Sequence, residues 1–407
     1  MSIDRASMFS NEPGSPASTG QIPLAVPYLS GNEWAYVKEC LDSGWVSSVG
    51  PFVDRFEKDI AAYLGASHAV ATASGTAALH VALVVAGVRP DDEVIVPALS
   101  FIAPANAVRY LGAWPVFLDV EPQYWQLDPR GVEAFLRGGC ERRADGVWNL
   151  RTGRRVSALL PVHVLGHPCD MDQLTGLAAE FDLKVIEDAT ESLGARYRGC
   201  PTGLLGDVGC LSFNGNKLIT TGGGGMLVTS NAVWAAKAKY LTTQAKDDPL
   251  EYVHGEIGYN YRLTNVQAAI GCAQLERIAD YVGAKRRAAT IYREALSGIP
   301  GLTCMQDAPW AASACWLFTV LIDPRTFGMS RRALMSALAA VGIQTRPLWQ
   351  PLHRSPAHVG AFSGDCSCAD RIHAEALSLP SSVNLRSEDQ QRVIRAIQET
   401  GRAAHPA

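Results

Sequence analysis

Ala158-Leu159-Leu160-Pro161-Val162, followed by Met171-Asp172-Gln173-Leu174-Thr175-Gly176-Leu177-Ala178-Ala179-Glu180-Phe181 and then by Lys184-Val185-Ile186-Glu187-Asp188, is the stretch that decides the fold. A short apolar run, a segment with apolar residues at helical spacing and a second apolar run make a strand–helix–strand unit. The same alternation runs upstream: Ala69-Val70-Ala71-Thr72, a helix over 77–86, Glu93-Val94-Ile95-Val96, a helix over 103–111, and Pro115-Val116-Phe117-Leu118. Repeated units of this kind predict an α/β fold whose mainly parallel sheet is covered by helices on both faces. Ligands of such open sheets bind beyond the strand ends, which draws attention to Glu187-Asp188.

Working outward, residues 32–41 and 52–64 have helical spacing, with Phe52, Phe56, Ile60 and Leu64 as one stripe and Gly65 as a stop. Residues 137–155 are polar and rich in Gly and Arg, and read as a surface excursion between two halves of the sheet. A long helix or bent pair is predicted over 262–296, linking the lobes. Beyond Gly301, strands near 316–322 and a helix at 331–341 suit a smaller α/β lobe. The expected organisation is a disordered tail over 1–20, a large domain over 21–275 and a small C-terminal domain over 276–400.

The chain has 407 residues, 47% of them hydrophobic, enough for one large core and a smaller second one at roughly 100–200 residues per domain. Its 36 Lys and Arg against 40 Asp and Glu give a net charge of -4. That balance provides no basic field for nucleic acid or an anionic membrane, and favours small-molecule chemistry. The ten cysteines are scattered, and the closest pair, Cys366 and Cys368, is C-x-C. Reduced thiols are expected, with no metal site. The N-terminal Ser-, Gly- and Pro-rich segment lacks the apolar core of a signal peptide, and the longest apolar run, 81–88, is far short of the ~20 residues that cross a bilayer. A cytoplasmic protein without a membrane segment is the expectation.

Three pieces carry chemistry. Ser74-Gly75-Thr76 opens a helix; by itself it is an N-cap and tight turn, but first-turn amides at the positive end of a helix also cradle phosphate. Asp188 ends a strand, where a carboxylate serves as a cap, a metal ligand or, facing a pyridine nitrogen, the group that keeps the ring protonated. Lys217 follows Ser212-Phe213-Asn214-Gly215-Asn216 and precedes the tetraglycine Gly222–Gly225. A lone lysine is ordinarily a solvated charge, whereas glycines on this scale imply close backbone approach at a crowded site. A buried lysine forms an imine with an aldehyde.

In this order the three pieces closely resemble the nucleotide-sugar aminotransferases of the DegT/DnrJ/EryC1/StrS family, a branch of the fold-type I pyridoxal-phosphate (PLP) transferases. The resemblance runs from about Ile22 to Leu385, with anchors at Gly44-Trp45-Val46-Ser47, the 97–106 segment, Pro161 to Asp172, Glu187 to Ala195 and Gly258-Tyr259-Asn260-Tyr261-Arg262-Leu263-Thr264-Asn265. It implies a large PLP-binding domain and a smaller C-terminal one. By the same resemblance, Lys217 is the Schiff-base lysine and proton carrier, and Asp188 the partner of the ring nitrogen. Ser74, Gly75, Thr76 and Ser212 match phosphate contacts, Phe101 the aromatic that stacks on the cofactor, and Glu191 a position near its O3′. Asn260 matches a residue reaching the phosphate in a neighbouring subunit, so a homodimer with shared sites is implied. His163 is expected beside the cleft, either as a structural residue or binding or protonating the sugar.

The implied reaction moves an amino group from L-glutamate to a nucleotide-linked 4-keto sugar, with pyridoxamine phosphate as the intermediate cofactor form. The tetraglycine and the 137–155 insertion look most like the subgroup that aminates C4 of a UDP-linked 4-keto-6-deoxy-N-acetylhexosamine. The alternative is the perosamine-forming type, acting on GDP-linked 4-keto-6-deoxymannose, which shares Asp188-Ala189-Thr190-Glu191 and Thr345-Arg346-Pro347-Leu348-Trp349. Tyr259 and the 346–349 segment are candidate neighbours of the nucleotide. Three other classes fit less well. A dehydratase of this fold has His in place of Lys217, and a non-catalytic sugar-binding homologue has little use for Lys217 and Asp188 together. An NAD enzyme needs a G-x-G-x-x-G turn that 73–78 lacks.

Overall fold

The computed structural model describes residues 20–248 and 250–404, so the tail expected over 1–20 lies outside the described residues apart from Gly20. Its main sheet runs His68–Thr72, Gly225–Thr229, Val208–Ser212, Lys184–Asp188, Arg155–Leu159, Glu93–Pro97, Trp114–Leu118 and Phe362–Ser363. From Val208–Ser212 to the Phe362–Ser363 edge every neighbour is parallel. Gly225–Thr229 is antiparallel to both of its neighbours. Glu93–Pro97 and Gly225–Thr229 are buried at every residue, as suits strands covered on both faces.

Apolar side chains surround the helix Gly75–Val85, and its Ala78, Leu79, Val81, Ala82 and Leu83 are fully buried. Such a helix belongs inside, and its N-terminus is carried to the sheet's strand ends. Met171–Phe181 forms as the spacing predicts. The strand before it ends at Leu159 rather than Val162, because Pro161 has no N–H for the ladder. Val162 still makes an isolated parallel bridge with Asp188.

The expected excursion over 137–155 is instead largely a hairpin. Cys140–Arg143 pairs with Gly146–Asn149, which pairs in turn with Arg155–Leu159 of the main sheet. Val147 and Asn149 point inward, and Asn149 Nδ2 donates to buried Glu93 Oε2 at 2.8 Å. The arginines that make the segment look like a loop coat its outer side: Arg143 lies over Trp148 and Arg142 over Phe181.

The 262–296 segment is a bent pair, Asn265–Leu275 and Ile278–Leu296, the first opened by a capping box of Thr264 and Gln267. Beyond it, Leu302–Cys304, Phe318–Ile322, Ala376–Leu379 and Arg346–Pro347 form a four-stranded antiparallel sheet. Two connections tie the parts together: Ile22 bridges Ile343, and Phe362–Ser363 returns to the edge of the main sheet. Among the described residues no helix is long and apolar enough to cross a membrane.

Candidate active site

A pocket of about 330 Å³ opens where the main-sheet strands end. At one end Ser74 caps the helix Gly75–Val85, its Oγ accepting from Ala77 N at 3.0 Å. The first-turn amides of that helix lack intrahelical acceptors and face the pocket with the positive pole behind them. Backbones approach closely here. A Cβ on Gly75 would lie 2.8 Å from Ser212 Cβ and 3.1 Å from Thr190 Cγ2, and one on Gly225 would lie 2.4 Å from the Ser74 carbonyl carbon and oxygen. Ser74, Gly75, Thr76 and Ser212 thereby form a cradle sized for an oxyanion. Gly225→Ala is expected to force apart the strand pairing that sets this cradle, lowering stability by about 2–4 kcal/mol in chemical denaturation.

Deeper in, Asp188 is 2% exposed and accepts from Thr190 N at 3.0 Å. Burial raises its carboxyl pKa, opposed by the Thr190 hydrogen bonds and by the charge of Lys217. Glu191 is also buried and its pKa is raised by that burial, against the opposing charge of Lys217. Its Oε2 accepts from Leu165 N at 2.8 Å, and its Oε1 is 3.5 Å from Lys217 Nζ. On the other side Lys217 Nζ sits 4.1 Å from the centroid of the Trp316 ring. Trp316 Nε1 donates to Asn216 O at 2.7 Å, fastening the indole to the lysine's own loop. Trp349 stacks near Trp316 at 6.4 Å, and Phe101 meets Trp349 edge-on at 6.3 Å.

Of the residues singled out in the sequence, Ser74, Gly75, Thr76, Phe101, Glu191, Ser212 and Lys217 line this one pocket, with Asp188 buried next to Thr190. His163 is placed elsewhere, which corrects the expectation of a sugar-binding or proton-donating group. It is fully buried; Nδ1 accepts from Cys169 N at 3.1 Å, so the proton is on Nε2, which donates to Glu187 Oε2 at 3.0 Å. Glu187 also accepts from the amides of Gly203, Leu205 and Gly206. With both ring nitrogens engaged, His163 braces the strand end; its own amide donates to Asp188 O at 3.1 Å.

Asn260 is exposed, bridged to Thr243 and outside the pocket. Tyr259 stacks on Tyr261 beside His80 and does not line the pocket; of the 346–349 segment, Arg346 lies on the outer strand of the smaller sheet while Trp349 lines the pocket. Trp316, Thr190, Asn214 and Asn216 are pocket residues that the sequence did not single out. Trp316 leads into an apolar strand and reads as core, so only tertiary structure reveals it.

An anion cradle, a carboxylate buried behind Thr190, a lysine and aromatic rings along the wall suit a phosphorylated pyridine aldehyde. The donor set matches each end of PLP.

The model of the DegT/DnrJ/EryC1/StrS aminotransferase family matches residues 27–398. A GDP-perosamine synthase of Caulobacter vibrioides is 40% identical, covering 93% of this chain and 98% of that protein. The GDP-perosamine synthase of Escherichia coli O157:H7 is 36% identical over 93% of this chain and 98% of its own. Among solved structures, DesV of S. venezuelae in complex with a ketimine intermediate superimposes with a TM-score of 0.84 at 33% identity, covering 96% of this chain and all of that one. The chain therefore belongs to the DegT/DnrJ/EryC1/StrS aminotransferase family and is a pyridoxal-phosphate-dependent sugar aminotransferase.

Proposed function

We propose that this enzyme transfers the amino group of L-glutamate to C4 of GDP-linked 4-keto-6-deoxymannose. The observation that carries the choice of sugar is the similarity, over nearly the whole chain, to two GDP-perosamine synthases. It displaces the UDP-linked N-acetylhexosamine expected from the tetraglycine and the 137–155 insertion. The latter is a hairpin packed on the main sheet beside Glu93, and the tetraglycine serves strand approach at Ser74, so both features have structural explanations independent of the sugar.

Bound PLP supplies an electron sink that acidifies the C–H next to a condensed amine. The rest falls to the chain. Ser74, Gly75, Thr76 and Ser212 would hold the phosphate, and the Asp188 carboxylate would stabilise a proton on the ring nitrogen. Lys217 Nζ would hold the cofactor aldehyde, and once freed by the donor amine it would be the base that takes the proton from the donor Cα and carries it across the pocket. The second half-reaction runs this transfer in reverse, placing a proton on sugar C4. Glu191 Oε1, 3.5 Å from Nζ, accepts a hydrogen bond from the amine and restrains its swing. Phe101, on the pocket wall, would stack on the ring.

Two copies form the working unit in this proposal, with Asn260 of each reaching the phosphate held by its partner. Supporting it is a set of apolar side chains left in solvent: Trp34 at 80% exposure, Leu41, Trp45, Val49 and Ile257 at 86%. Exposed apolar groups in such number mark an interaction surface.

The test is direct. With glutamate, the purified enzyme is expected to aminate GDP-linked 4-keto-6-deoxymannose, read as 2-oxoglutarate and an amino-sugar nucleotide, and to leave the UDP-linked 4-keto-6-deoxy-N-acetylhexosamine unreacted. Turnover of the UDP sugar alone overturns the assignment.

A further inference from the structure

Lys285 lies in the middle of the helix Ile278–Leu296 and is 4% exposed. Its Nζ donates to Trp316 O at 2.9 Å and also to Ser381 O. A lysine so placed gives up its hydration for two backbone carbonyls, and burial pulls its pKa down to about 7, with the Cys315 thiol acting in the opposite direction. A leucine would leave both carbonyls without that donor, so the amine has a specific task.

The two carbonyls locate the task. Ser381 takes Phe318 N on its Oγ and gives its own N–H to Leu24 O, fixing the start of the smaller sheet's second strand. Trp316 lies two residues before that strand, and its amide donates to Leu165 O, whose own amide is held by Glu191. The adjacent Arg286 holds the same strap through Ser313 O, Ala312 O and Gly194 O. Trp316 is thus fixed at its carbonyl by Lys285, at its amide by Leu165 and at its ring by Asn216, with the ring against the Lys217 amine.

Resting on the reading of Lys217 as the imine-forming and proton-carrying lysine, we propose that Lys285 is a positioning residue for the reaction: by holding the Trp316 carbonyl it keeps the indole against Lys217 and restricts where Nζ can travel. The indole face attracts a cationic amine and blocks one side of its arc, which keeps the proton-transferring atom over the reacting carbon. Substrate contacts are not involved, so the effect falls on turnover.

A double-mutant cycle with the cofactor-loaded enzyme tests this. Lys285→Met is expected to retain the yellow colour of the loaded protein and an unchanged KM for glutamate, and to lose about tenfold in kcat, with a larger isotope effect on Cα-deuterated glutamate. The rate at which colour develops when PLP is added to cofactor-free protein is expected to fall as well. Trp316→Phe gives the same losses, and the double variant loses no more than either single one. Lys285→Gln, which keeps N–H donors, recovers most of the rate, and Lys285→Leu takes the place of Lys285→Met in the cycle if that variant does not fold. Losses that multiply in the double variant, or a lowered melting temperature with kcat and colour development unchanged, overturn the proposal. A wild-type protein that never turns yellow with PLP instead overturns the reading of Lys217 on which it rests.

Discussion

Lys217→Ala is expected to lower transamination by at least about 10³-fold, because one atom serves as cofactor anchor and as proton carrier in both half-reactions. The variant is also expected to bind PLP without developing the yellow colour of the lysine adduct, since the phosphate cradle and Asp188 are untouched. Absorbance titration with PLP and a coupled assay for 2-oxoglutarate read the two effects separately. The surroundings explain why no other group substitutes. Lys217 Nζ is held between Glu191 Oε1 and the Trp316 ring, and the remaining ionisable groups near it are carboxyls rather than amines. A Lys217→Ala enzyme that keeps more than about a tenth of wild-type turnover sinks the assignment.

Asp188→Asn is the second large effect, with kcat/KM expected to fall by about 10²–10³-fold while the yellow colour persists. The amide fills the same volume but lacks the charge that stabilises a proton on the ring nitrogen. The pH dependence isolates it. Burial raises the Asp188 pKa above the ordinary 3.8, so in cofactor-free protein this group contributes stability below that value and loses it as pH rises through the raised folded value. Glu191, raised by burial from 4.5, acts in the same direction and is present in both proteins, so the difference between them reports Asp188. A cationic ring nitrogen reverses the Asp188 penalty. The gain in melting temperature on adding PLP is therefore expected to grow as pH rises above about 4 in the wild type, and to be flatter in Asp188→Asn. Parallel curves for the two proteins contradict a charged pair at this position.

The strand–helix alternation is legible because parallel strands are short apolar runs and their helices carry a clear period, as in Lys184–Asp188 and Met171–Phe181. Strand direction leaves no such trace. Gly-Met-Leu-Val-Thr at 225–229 is buried throughout like its parallel neighbours, and the turn over 213–224 is what reverses it. The hairpin at 140–149 is hidden by outward-facing arginines, since a four-residue strand offers only two inward positions. Within the site, residues following strands or opening a helix are found from sequence because backbone geometry fixes where they go. His163 shows the limit of that reasoning. It follows the bridge residue Val162, yet its ring turns to buried Glu187 rather than to the cleft. Trp316 marks another limit, because its meaning comes from a strap that folds back onto Leu165 and Gly166 far away in sequence.

The close contact between Gly225 and Ser74 also sets a schedule for the newborn chain. Ser74 leaves the ribosome early, but the strand that presses against it follows Lys217, and the indole that closes over the lysine follows a good deal later. Domains fold as their residues emerge, and long-range strand pairing waits for both partners. A half-made chain therefore has the helix that greets the phosphate but not the lysine that keeps the cofactor. Capture of the cofactor through the lysine waits until translation has run past Gly225.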